Sequence, residues 1–328
     1  MRWLSRLLAA VGVIALIIAG GLYGFSLYSA NQALSHRVER FVATPASYAL
    51  QADTISLISS DGIPLMAWWV PAETPNPRGV VILLHGMDGM DASAMLGHAK
   101  FLHESGYAAM ALDMRAHGRS GGHRIGSSVE EVRDVTAALD WVRGEPRVAE
   151  RPVALLGISM GGATALRTAA LRRDVSAVIS VSAFCSVNQA TQEMFDRSDM
   201  PKQAVAILMP FVQLATATLY RVWPSRLSTL NDIERIPPRP VLIIHGTADD
   251  QIPVAHAYRL AKAAGNRAQL WIVEGAGHGV YKGEVAGPEN RPYRERILSF
   301  LDSALAAGKQ PSAVFHGERD SLRVGKEN

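Results

Sequence analysis

The chain has one cysteine, Cys185, which excludes an intrachain disulfide and any cysteine-built structural zinc site. It follows an apolar stretch, where a buried, chemically quiet thiol is the plain reading and a cysteine nucleophile the lesser one. Runs of like charge are missing too. The formal net charge is +3 and no block of five or six like charges occurs, so the concentrated basic surface needed to neutralise phosphates is absent and no nucleic-acid partner is expected. The histidines are scattered, and Asp113 with His117 and His123 lacks the spacing of helix-borne ligands, so no metal is expected. Gly86-Met-Asp-Gly89 lacks the Lys-Ser/Thr ending of a phosphate cradle, and no cofactor is implied. Nothing in the composition sets an oligomeric state.

Charge is also missing locally. Between Leu7 and Ser35 no charged residue occurs, and Leu7 to Tyr28 is apolar apart from Ser26 and the part-polar Tyr23 and Tyr28. As a helix that run rises about 33 Å, enough for a hydrocarbon core of about 30 Å. Arg2 and Arg6 favour keeping the short N-terminus cytoplasmic, which puts the remainder on the non-cytoplasmic side: in a bacterium, the periplasmic face of the inner membrane. A cleaved signal peptide is the alternative, but Tyr28-Ser29-Ala30 places a tyrosine where a small residue is wanted. The expected order is a membrane anchor over 1–30, a polar juxtamembrane linker over 31–50, a globular domain over 51–306 and a mobile tail over 307–328.

Within the globular part, Thr54–Ser59 and Leu65–Val70 flank Asp61-Gly62 as a hairpin. Short apolar runs then alternate with helix-favouring ones. Strands are expected at Val80–Leu84, Ala108–Leu112, Val153–Leu156, Ala177–Val181, Val241–Ile244 and Leu270–Val273, and helices near 92–104, 130–143, 160–172, 254–264 and 291–306. Near-continuous apolar strands imply helices on both faces of a mainly parallel sheet, an α/β class. The interruption over 186–239 carries a strongly apolar run, Ala204–Leu219, broken by Pro210. A second membrane span is the lesser reading; helices that line or cap an acyl-binding pocket are the favoured one.

Gly157-Ile158-Ser159-Met160-Gly161 follows one such strand and precedes a helix-favouring run. Small residues at both ends suit a sharp strand-to-helix turn that exposes the serine oxygen. A serine hydroxyl needs a base, and His278, in Gly-Ala-Gly-His278-Gly279 just after a strand, is the best candidate. The acid that orients the imidazole is sought at Asp249, again after a strand, with Asp250 as its rival. His85 and His245, beside glycines at other strand ends, read as loop braces.

The order Ser159, Asp249, His278, together with His85-Gly86, Asp113-Met-Arg-Ala-His-Gly-Arg-Ser120, His245-Gly-Thr-Ala-Asp249 and Gly277-His278, resembles the α/β-hydrolase family over roughly residues 50 to 306, particularly its membrane-anchored serine hydrolases. The resemblance implies an eight-stranded, mostly parallel sheet with an antiparallel first edge, and a small helical insertion over 186–239. It makes Asp249 the usual acid position and the backbone amides of Met87 and Met160 the oxyanion donors. The implied activity is hydrolysis of carboxylic esters or thioesters through an acyl-enzyme, with a small acylated or lipid-like substrate. A serine peptidase or acyltransferase of the same fold, and a non-enzymatic binding protein, are the alternatives. A haloalkane- or epoxide-processing relative is disfavoured because such enzymes carry an elbow aspartate.

Overall fold

A computed structural model describes residues 2–35, 37–38, 43–87, 90–223 and 226–307. The expected tail over 307–328 lies outside these residues except for Ala307. Eight strands, β1 (Asp53–Ile58), β2 (Pro64–Val70), β3 (Val80–Leu84), β4 (Ala108–Asp113), β5 (Val153–Ile158), β6 (Val175–Val181), β7 (Val241–Gly246) and β8 (Ala268–Val273), form one sheet in the order β1-β2-β4-β3-β5-β6-β7-β8. β2 runs antiparallel to both β1 and β4, and the remaining pairs are parallel. This is the mixed sheet with one antiparallel edge that the family resemblance implied.

The uninterrupted apolar strands follow from burial on both faces. In β3, Val80, Ile82 and Leu84 face one core, while Val81 and Leu83 face the other. Helices α3 (Glu131–Gly144), α4 (Met160–Leu171) and α8 (Ala255–Ala264) cover the first, and α2 (Leu96–Glu104) and α9 (Arg291–Ala307) the second. Parallel strands all point their C-terminal ends to one edge. The loops after β3, β5, β7 and β8 therefore converge there, which is where such sheets bind ligands.

Between β6 and β7 the chain forms α5 (Val187–Asp196), α6 (Lys202–Tyr220) and α7 (Thr229–Ile233). The apolar run expected to break at Pro210 is one continuous helix, α6, with Pro210 inside it. A proline in a helix removes one i to i−4 hydrogen bond. Pro210 sits on an exposed face, where water can satisfy the carbonyl it leaves free.

The N-terminal helix α1 (Arg2–Leu34) is 33 residues long. Its most apolar window has a mean hydropathy of 2.3 and is not buried at all, so by length and composition it can cross a membrane; α6 passes the same test less decisively, with a third of its window buried. The C-terminal half of α1 packs on α6, where Ser26 is buried and Tyr23 Oη lies 3.0 Å from Thr218 Oγ1. The chain that follows is strapped to the globular part. Ile125 N–H donates to Leu34 O, Val38 N–H to Ala116 O and Gly118 N–H to Val38 O, each at 2.8 Å. Arg37 donates to the carbonyls of Gly118 and Ser120 at 2.7 and 2.5 Å.

Candidate active site

Ser159 follows β5 and stands at the N-cap of α4 with φ 56° and ψ −117°. Such a conformation costs about 1–3 kcal/mol for a residue with a Cβ, so the surroundings must hold it. They do so by close backbone approach. A Cβ at Gly157 would strike the Gly161 carbonyl, and one at Gly161 would strike the carbonyls of Leu84 and His85. The Ser159 N–H is tied to Val181 O at 2.8 Å, which leaves the side chain free to stand over the sheet edge.

The loops after β7 and β8 are stitched together. Ala248 N–H donates to Ala276 O at 2.9 Å and Gly275 N–H to Thr247 Oγ1 at 2.8 Å. This brings His278 onto Asp249, with Nδ1 at 2.8 Å from Oδ2 and 3.0 Å from Oδ1. Asp249 Oδ1 also accepts the amides of Gln251 and Ile252 at 3.0 and 2.8 Å. His245 Nε2 lies 3.1 Å from Oδ2. Burial alone would raise this carboxyl, but hydrogen bonds from His245, His278 and the Ile252 amide outweigh it and hold Asp249 well below the usual carboxylate range. An ionised Asp249 accepts a hydrogen bond from His278 Nδ1–H, which leaves Nε2 as the acceptor. Asp250, the sequence rival, is exposed at the rim of the same cleft.

Ser159, His278, Met87, Met160 and Asp250 line one open cleft of about 720 Å³. The structure records no hydrogen bond between Ser159 Oγ and His278 Nε2 among the described residues, as is common before substrate draws such a pair together. Met160 opens α4, so its N–H has no partner within the helix. Met87 follows β3 on the facing loop. Both residues line the cleft that holds the serine.

The cleft wall differs from the sequence expectation. It is lined by α5, through Val187, Ala190, Thr191 and Met194, with Phe184 and Arg197 at its ends, whereas α6 supplies no side chain to it. The spacing of the α5 residues, i, i+3, i+4 and i+7, was available as a signal, because it places them on one helical face. Cys185 lies outside the cleft, buried against His256, with its thiol pushed up to about 12 by burial.

The other histidines and acidic groups brace loops. His85, held down to about 4 by burial, accepts the Met114 amide at Nε2 (3.0 Å), so its Nδ1 carries the hydrogen donated to Gly86 O at 2.7 Å. Asp113 accepts from Ala92 N–H at 2.8 Å and from Arg119 Nε at 3.1 Å. No group of side chains suited to a metal occurs among the described residues.

Residues 75–236 match the family described as serine aminopeptidase, S33, and residues 216–303 the family described as TAP-like protein. The chain is 26% identical over 279 residues to the YfhR protein of Salmonella typhi, covering 80% of this chain and 85% of that one. It is 28% identical over 242 residues to the alpha/beta hydrolase domain-containing protein WAV2 of Arabidopsis thaliana, covering 70% and 73%. Among solved structures, the esterase Pf2001 of Pyrococcus furiosus superposes with a TM-score of 0.64 at 21% identity, over 82% of this chain and 98% of that one. Est1E of Butyrivibrio proteoclasticus, solved with ferulic acid bound, gives 0.58 at 20% identity, over 76% and 99%. At these identities the structural likeness is one of fold.

Proposed function

Since the chain belongs to the α/β-hydrolase superfamily, we propose that it is a serine hydrolase that cleaves carboxylic esters or thioesters through an acyl-enzyme on Ser159. The observation that carries this reading is His278, hydrogen-bonded to Asp249, lining the same cleft as a serine held at positive φ. Ser159 Oγ attacks the acyl carbonyl as its proton passes to His278 Nε2, and the Met87 and Met160 amides receive the oxyanion. The imidazolium, steadied by Asp249, then protonates the leaving alcohol or thiol. Water, deprotonated by the same nitrogen, releases the acid and restores Ser159. The apolar α5 wall takes the acyl chain.

Labelling with a fluorophosphonate probe tests this directly. The expected result is covalent modification of the wild-type chain but not of S159A, with H278A strongly impaired; a folded wild-type chain that resists the probe overturns the proposal. One observation favours a second reading, peptide hydrolysis. The matched family is described as a serine aminopeptidase, and Asp250 offers an exposed carboxylate at the cleft rim that can hold a substrate ammonium. Aminoacyl amides run beside simple esters and thioesters separate the two.

We read α1 as an uncleaved membrane anchor, with the hydrolase on the non-cytoplasmic side. What supports this is its exposed apolar length and the Arg2 and Arg6 pair before it. Retention of membrane-bound chain after carbonate extraction, with Met1 or Arg2 still present by mass, tests it; a mature chain beginning near Asn31 overturns it.

A further inference from the structure

α6 ends at Arg221, whose φ of 52° stops the helix, and a groove of about 420 Å³ lies at this end of it. Leu214, Ala217 and Thr218 form one wall, and Arg221, Trp223 and Arg226 stand around it. Both arginines and Trp223 are exposed, and among the described residues no carboxylate pairs with either guanidinium. Two unanswered cations beside an apolar wall and an indole call for an amphiphilic anion.

The position of the groove along α1 indicates which one. Counting from Arg6 at the cytoplasmic boundary, Tyr23 lies about 26 Å along the helix and Tyr28 about 33 Å, which straddles the far edge of a hydrocarbon core of about 30 Å. Tyrosine and tryptophan prefer that level. Thr218, which lines the groove, is the residue whose hydroxyl meets Tyr23 at 3.0 Å. With α1 in the bilayer, that contact holds the groove at the outer edge of the hydrocarbon core, beside the headgroups. The adjoining hollow shares Arg226 and adds Arg167 and Arg235 against the one carboxylate of Asp232, which deepens the positive field.

We propose that this groove at the end of α6 binds the phosphodiester headgroup of an anionic phospholipid in the leaflet facing the hydrolase. Arg221 and Arg226 hold the phosphate oxygens through their planar, multi-donor guanidinium groups, Trp223 sits among the headgroups, and Leu214 and Ala217 receive the first methylenes of the acyl chains. The inference rests on α1 lying in the bilayer. It makes α6 a second membrane contact, separate from the cleft.

The full chain in a neutral detergent, titrated with phosphatidylglycerol or phosphatidylcholine and read by native mass spectrometry, tests the proposal. Wild type is expected to prefer phosphatidylglycerol by about 10- to 30-fold, which corresponds to about 1 kcal/mol per arginine near a membrane surface. R221Q/R226Q is expected to lose that preference, and R221K/R226K to keep most of it. Fluorophosphonate labelling of Ser159 in each variant shows that the fold is intact. Equal preference in the glutamine variant overturns the groove, as does displacement of the lipid by equimolar inorganic phosphate. Release of the chain by carbonate overturns the bilayer premise separately, without bearing on Ser159 chemistry.

Discussion

His278 Nδ1 lies 2.8 Å from Asp249 Oδ2, while the adjacent Asp250 stays exposed at the cleft rim. The two aspartates are therefore expected to separate cleanly on substitution. D249N keeps an oxygen for the Gln251 and Ile252 amides but turns an NH₂ toward the imidazole, which forces the wrong tautomer. A fall in kcat of about 10⁴ is expected, with D250N near wild type on simple esters. Steady-state hydrolysis of p-nitrophenyl esters measures both, and the reverse ranking would reassign the acid.

His245 shares the Asp249 carboxylate and also hydrogen-bonds Ile252 O at 2.8 Å. Because it contacts the Asp249 carboxylate, its influence on turnover is expected to pass through Asp249. H245A is expected to lower kcat with little change in KM. It also removes a donor that depresses Asp249, so the folded-state carboxyl rises toward its ordinary value. Stability that Asp249 supplies above that value is lost as pH falls through the folded pKa, so in H245A the loss begins at higher pH. Acid unfolding followed by circular dichroism should show the midpoint moving up.

Glu131 is fully buried, and burial first, then the Asp134 carboxylate, push its carboxyl up from 4.5 to about 7. Between these values the folded chain keeps a proton that the unfolded chain gives up, so stability falls as pH rises across the interval and levels off above it. E131Q retains an oxygen for the Gly126 amide and has nothing to ionise. It is expected to exceed wild-type stability at pH 8 by up to about 3 kcal/mol, the gap closing toward pH 4.5. Denaturant unfolding at both pH values decides it.

Ala190 projects from α5 into the cleft between Val187 and Met194. A190W places a bulky ring in the cleft on the α5 side. Octanoyl esters are expected to lose about 10- to 100-fold in kcat/KM, while acetyl esters lose little. Equal losses for both chain lengths would place the acyl chain elsewhere.

The strand faces were legible because Val80, Ile82 and Leu84 alternate with Val81 and Leu83, and burial on both sides leaves no polar position to confuse the pattern. The elbow was legible because Gly157 and Gly161 have no room for a side chain. The choice of Asp249 over Asp250 rests on the family resemblance and not on the local pattern, since both follow the same strand; in the structure the turn aims Asp249 Oδ1 at two amides. Periodicity also could not say what would cover α6. An apolar helix reads the same whether it packs over a cleft or against another helix, and the Tyr23–Thr218 contact joins residues 195 apart in the chain. The cleft wall went instead to α5, whose single apolar face is shorter and less conspicuous.

The bonds that join Leu34 to Ile125 and Val38 to Ala116 and Gly118 tie the end of α1 to the loop after β4. An enzyme on a loose leash tumbles and samples every height its tether permits. With α1 in a bilayer, as proposed, this one would work more like a read head on an arm, its cleft kept near one height. Molecules within the leaflet would then reach the cleft by a two-dimensional search. Lengthening the strap would alter turnover of leaflet-borne substrates while sparing soluble ones.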